Sequence, residues 1–165
     1  MSKRPTFPFA SMRQGYDASP CFAGRRLPAA AIRNDCLGLH VRRAARALAR
    51  RYDDALRPFA LTGGQFSLLM ALDRPTPATM GAVARTLGMD RTTLTANLKP
   101  LVARGVIAVA ADPADRRARR LALTGAGRAL LAAALPIWRQ AESAAERLLA
   151  GSDVDRLRRD LRALA

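Results

Sequence analysis

The sequence predicts a mainly α-helical domain carrying one small β-ribbon. Three observations predict it: apolar residues recur at helical spacing in most of the chain, capping residues open and glycines close those stretches, and two short β-branched runs flank a charged turn. With 165 residues, half of them apolar, the chain is long enough for one buried core and short for two.

Residues 1–34 stand apart. They hold Pro5, Pro8, Pro20 and Pro28, show no helical period, and set Lys3, Arg4, Arg13, Arg25, Arg26 and Arg33 against the single acid Asp17. This is the composition of a basic, disordered tail, with an arm that touches DNA phosphates as the functional alternative. One folded domain is expected over 35–165. From Asp35, the residues Val41, Ala44, Leu48, Tyr52 and Leu56 form one stripe along a helix that stops before Pro58. Thr62 with Gln65 makes a capping box for a second helix, with Phe66, Leu69 and Met70 inward and an end near Asp73. Thr79 caps a short third helix burying Met80, Val83, Ala84 and Leu87, and Gly88 stops it.

Asp90 caps a fourth helix with Leu94, Leu98, Leu101 and Val102 on its inner side, ending at Gly105. Val106–Ala110 and Arg119–Leu123 read as the two strands of the ribbon. Thr124 opens a long helix to about Ala150, with a kink expected at Pro136; Ser152 with Asp155 then caps a last helix carrying Leu157, Leu161 and Leu164. Helix, short helix, tight turn, helix and ribbon, in that order, make a winged helix-turn-helix core flanked by N- and C-terminal helices.

Charge points to the partner. Lys and Arg number 28 against 13 Asp and Glu, a net +15, which favours nucleic acid or an anionic surface. Aromatic residues make up only 5%, too few for stacked platforms on single strands, so double-stranded DNA fits better. If Leu94 and Leu98 face the core, Thr92, Thr93, Ala96 and Lys99 face outward with Thr95 and Asn97 on the flanks. These short or hydrogen-bonding side chains suit base edges, Asn97 can pair with adenine, and Arg91 can clamp a phosphate or guanine. A solvated helix face explains the same residues less well once the ribbon turn is added. There Arg116, Arg117, Arg119 and Arg120 fill four of five positions, a repulsive cluster suited to a narrow minor groove, with Asp115 placed to align Arg117.

No run of eighteen apolar residues spans a membrane, Met1–Ala10 has no signal-like apolar segment, and a cytoplasmic location is expected. Cys21 and Cys36 are too few for a disulfide framework, and no zinc spacing occurs. One histidine, no nucleophile beside a base and no phosphate loop speak against an enzyme, and no cofactor or metal is expected.

Residues 61–127 resemble the multiple antibiotic resistance regulator (MarR) family, through LTGGQFSLLMAL, LGMDRTTLTANLKPL, GVI and DPADRRARRLALTGAG. The flanking stretches CLGLHVRRAARALARRYD and ALPIWRQA are similar in character, and the wing signature falls on Asp115 and Arg117 followed by Leu123-Thr124. The resemblance implies homodimers on near-palindromic DNA, usually repressors released by a ligand or by oxidation. Ala96 departs from it, since many similar members carry arginine there. A dimer is also expected physically, because Leu130, Leu131, Leu135, Trp138, Leu148, Leu157 and Leu161 exceed what a small core covers. This gives dimerisation helices at 35–57 and 124–165 and a DNA-binding part at 62–123.

The resemblance also implies an effector site where the first two helices meet the long one, with His40, Arg43, Phe66, Met70 and Trp138 as candidates and an aromatic or phenolic acid as ligand. Cys36, beside Arg33, Arg42 and Arg43 at a helix start, is a redox candidate, although it is equally a small packing residue. Matching on Tyr52 and Gln65 puts Gly38 at the sensing position of the family's hydroperoxide branch. A sequence-indifferent architectural DNA-binding protein is the alternative reading.

Overall fold

A computed structural model describes residues 33–113, 115 and 118–164. The chain divides into two units, 1–41 and 42–165. In the first, Arg33–Asp35 are helical, Cys36 breaks the helix, and its carbonyl accepts the N–H groups of Leu39 and His40 at 3.0 and 3.2 Å. Helix α1 (Leu37–Leu56) starts there and continues into the second unit. The expected tail otherwise lies outside the described residues.

A 3₁₀ turn at Arg57–Phe59 ends on Ala60 in the left-handed conformation (φ 51°), and α2 (Gly63–Leu72) follows. The Thr62–Gln65 capping box forms as the sequence predicts, at 3.2 and 3.0 Å. The inner face of α2 differs: Phe66, Leu68, Leu69 and Leu72 are buried, while Met70 is 37% exposed. Helix α2 is apolar on nearly every side because it packs against several elements at once, so a single-stripe reading misplaces its face.

A two-residue strand β1 (Ala78–Thr79) precedes α3 (Met80–Leu87), which Thr79 caps by accepting the Ala82 N–H at 3.2 Å. Strand β1 is too short to leave a periodic signal. Its register, Ala78 to Leu121 and Thr79 to Arg120, turns the expected ribbon into a three-stranded antiparallel sheet. After α4 (Arg91–Ala103), β2 (Ile107–Ala111) and β3 (Arg119–Leu123) pair antiparallel, with β3 in the middle and β2 at the edge. Leu121 and Leu123 on β3 point into the core.

Helix α5 (Gly125–Arg147) continues through Pro136, and α6 (Val154–Arg162) ends the described chain. Thr124 caps α5 by accepting the Gly127 N–H at 3.0 Å and donates to the Gly105 carbonyl at 2.8 Å. The cap of α6 is Asp153 rather than Ser152: its carboxylate accepts the Arg156 N–H at 2.9 Å. The Ser152 N–H still closes the end of the previous helix onto the Leu149 carbonyl, which moves the new helix start one residue on.

Trp138 of α5 stacks on Phe66 of α2, ring centroids 5.7 Å apart. Leu131 is buried and Leu130, Leu135 and Trp138 are half-buried against this core, so half of the stripe assigned to a partner is covered within the chain. Leu148, Leu157 and Leu161 stay exposed. An ionic cluster joins α1, α5 and α6. The Tyr52 hydroxyl donates to Glu142, and Arg158 meets Glu142 (2.9 Å), Glu146 and Asp155 (2.9 Å). Burial, then the bond to Glu142, holds the Tyr52 phenol above its usual range. No described helix is long and apolar enough to cross a membrane.

The unfolded Tyr52 ionises near ~10 and the folded one later, so this contribution is complete below that pH and is lost as pH rises above it. Urea midpoints should fall on going above pH ~10, and Tyr52→Phe should flatten that fall. At Gly127 an added Cβ would lie 2.1 Å from the Val106 carbonyl oxygen, whereas at Gly125 it meets nothing. Gly127→Ala should therefore cost about 1–3 kcal/mol in urea unfolding, and Gly125→Ala should stay within about 0.5 kcal/mol of the parent.

Candidate nucleic-acid interface

The turn between α3 and α4 is set by Gly88, whose φ of 60° is strained for any other residue. The Met89 N–H bonds back to Ala84 at 2.9 Å, which closes α3 and frees Asp90 to open α4. The Asp90 carboxylate accepts the Thr93 N–H and the Thr93 hydroxyl, both at 2.8 Å. The backbone bond first, then the hydroxyl, holds this carboxyl below its usual range.

Leu94, Leu98 and Leu101 are buried as predicted, at spacing i, i+4 and i+7. Val102 is not; it lies one residue beyond that face and is exposed. The opposite side presents Arg91, Thr92, Thr93, Thr95, Ala96 and Lys99, all exposed. The Thr95 hydroxyl donates to the Arg91 carbonyl at 2.7 Å, so Thr93 and Thr95 offer mainly their methyl groups.

Asn97 faces another way than the sequence suggests. Its amide donates to the Thr93 carbonyl at 2.9 Å, and its Oδ1 sits where only hydrogen at Gly64 leaves room, 3.0 Å from a Cβ built there. It thus packs between α4 and α2, and an adenine contact requires it to leave this position. The paired signal, a glycine on α2 and an asparagine on α4, is legible only after the helices are packed.

In the wing, Asp112 is 6% exposed and its Oδ2 accepts from Arg120 Nε at 2.8 Å. Arg120 is therefore tied to the base of the wing, a structural role that the sequence reading did not assign to it. The turn is closed by the Asp112 N–H on the Ala118 carbonyl (3.1 Å) and the Ala118 N–H on the Asp115 carbonyl (2.9 Å). Asp115 and Arg119 are exposed; Arg116 and Arg117, with the proposed Asp115–Arg117 alignment, lie outside the described residues.

The effector candidates of the second unit differ in burial. Phe66 is 1% exposed and stacked on Trp138 within the core, while Met70 and Arg43 are exposed. His40 belongs to the first unit, where its Nε2 donates to the Asn34 carbonyl at 2.8 Å. A shallow recess of about 420 Å³ lies instead beside Asp53, Arg57, Ala60, Leu61, Thr62 and Gln65. Cys36 is a half-exposed free thiol. Among the described residues, no group of His, Cys, Asp or Glu is arranged to hold a metal.

The MarR family matches residues 61–118, the stretch that contains α2, the helix pair and most of the wing. The chain is also similar to the Mycobacterium tuberculosis transcriptional regulator MosR in complex with DNA, at 42% identity over 79% of this chain and 93% of that one, with a TM-score of 0.69. The chain belongs to the MarR family of transcriptional regulators. Other similar structures are the transcriptional repressor CouR on a 23-mer DNA duplex (31% identity, 81% and 92% of the two chains, TM-score 0.65) and Bordetella bronchiseptica BpsR, whose DNA binding is regulated by 6-hydroxynicotinic acid (28%, 79% and 94%, TM-score 0.68). A comparison with curated proteins found no match. For this MarR-family chain the winged helix-turn-helix is thus a DNA-binding fold, with β2–β3 as its wing.

Arg120→Ala removes a charged partner from a buried carboxylate, so it should lower the thermal midpoint more than Arg120→Ala combined with Asp112→Ala. Equal decreases in the single and double variants would show that the pair is not coupled.

Proposed function

We propose that this MarR-family protein is a homodimeric repressor acting in the cytoplasm, which reads a pseudo-palindromic operator through paired α4 helices and wings. The observation that carries the reading is the outer face of α4. Arg91, Thr92, Thr95, Ala96 and Lys99 form a short-side-chained, donor-bearing surface directly after a steep turn, able to lie close to base edges. MosR in complex with DNA and CouR on its duplex support the same use of the fold. Arg119 joins this surface from the wing, and Arg116, Arg117 and Asp115 are assigned to it on the sequence alone.

The dimer is supported by what one chain leaves bare. Only Leu56 of α1 is buried, no residue of α6 is, and Leu48, Leu148, Leu149, Leu157 and Leu161 are all exposed. A second copy covering 35–57 and 124–165 buries these faces and leaves 62–123 free for DNA. BpsR supports release by a small aromatic acid. Here such a ligand has to part Phe66 from Trp138 or bind outside the core. The net charge of +15 favours the second reading, an architectural binder indifferent to sequence.

Selection from a random duplex library separates the two. The repressor reading expects enriched sites with two-fold symmetry and half-sites about 10 bp apart, from a protein that sediments as a dimer. Lys99→Ala and Thr92→Val should shift the preferred bases by about 1–3 kcal/mol for each base interaction removed. Enrichment of no sequence supports the architectural reading, and a strictly monomeric protein defeats the paired one.

A further inference from the structure

Helix α1 carries a charged face that neither the reading helix nor the wing uses. Arg42, Arg43, Arg46 and Arg50 are all exposed, and at 3.6 residues per turn they fall within an arc of about 100° along about 12 Å of helix. None of the four has a hydrogen bond or ion pair among the described residues. Arg42 with Arg46 and Arg46 with Arg50 are like charges at i, i+4, and Arg43 with Arg46 at i, i+3, arrangements that destabilise a helix in water.

The partner that neutralises this row is not a second copy. Among the described residues, Glu142, Glu146 and Asp155 surround Arg158, Asp160 faces Arg156, Asp54 faces Arg57, and Asp112 holds Arg120. The other described acids, Asp35, Asp53, Asp73, Asp90, Asp115 and Asp153, are spread singly over different parts of the chain, so a second copy offers no comparable row of carboxylates. Nor does the apolar contact compete for the face, since Leu48 lies opposite it and Tyr52 about 80° beyond its edge, while Leu56 comes more than a turn after Arg50. Ala47 and Ala49 border the stripe, so a rod-shaped polyanion can approach it closely. Arginine suits phosphate through its planar fork of donors.

We infer that the Arg42–Arg50 face of α1 is a second DNA-binding surface, which takes the phosphate backbone of duplex DNA outside the stretch read by α4. The identity of the polyanion rests on the DNA-binding reading above; the surface itself rests on α1. Sequence plays no part in it, so the contact adds affinity and salt dependence without changing base preference.

The test uses the full chain and a 60-bp duplex of scrambled sequence, with binding followed against salt. Replacing Arg42, Arg43, Arg46 and Arg50 by Gln should reduce the slope of log affinity against log salt by about 2 to 4, at about 0.9 for each phosphate no longer neutralised. The sequences enriched from the random library, the sedimentation of the dimer and the far-ultraviolet circular dichroism should stay as in the parent. Arg→Lys at the same four positions should keep most of the slope. A Gln variant that is folded and dimeric yet keeps the parental slope overturns the inference. So does one that loses binding to phosphatidylglycerol vesicles while keeping duplex binding. If the parent protein binds no duplex at all, it is the DNA-binding reading that fails, a result distinct from either.

Discussion

Burial of α2 is the constraint on which the rest of the molecule depends. Its sequence is apolar around almost the whole circumference, so it can be stable only when neighbours cover it on several sides. Helices α3, α4 and α5 and strand β3 do so, with Phe66 stacked on Trp138 and Leu68, Leu69 and Leu72 enclosed. The capping box at Thr62 fixes where this rod begins. The glycine that follows lets Asn97 wedge α4 against it. The reading helix is therefore held by its back to a rigid core, and its outer face is free to meet a groove.

The wing is held by a different force. Strand β2 contributes only Ile107 to the core and lies at the edge of the sheet, so apolar burial alone anchors it weakly. The buried Asp112 compensates. Its bond to Arg120 ties the tip end of β2 to the central strand, and β1 secures that strand from its other side. A carboxylate removed from water is retained because its cation partner is close and well aligned.

The C-terminal helices are held by polar bonds as much as by apolar packing. The ionic cluster of Tyr52, Glu142 and Arg158 ties α1, α5 and α6 together, while Leu148, Leu157 and Leu161 stay exposed. Polar bonds thus pre-shape an apolar surface, the one on which the proposed dimer rests.

The order of elements was legible in the sequence because its signals are local. Thr62, Thr79, Asp90 and Thr124 accept the amides that capping rules assign them, Gly88 adopts the left-handed turn, and Leu94 and Leu98 face inward from spacing alone. Strings such as LGMDRTTLTANLKPL carry the family likeness for the same reason. Tertiary structure decided what local rules cannot. It turned Met70 outward and Leu68 inward, took Asn97 and Arg120 from the surface into contacts, enclosed Leu131 and Trp138, and built a strand from two residues with no pattern of their own. Each of these depends on which distant element arrives at a given face, and that is set by packing the whole core rather than by neighbours in the chain.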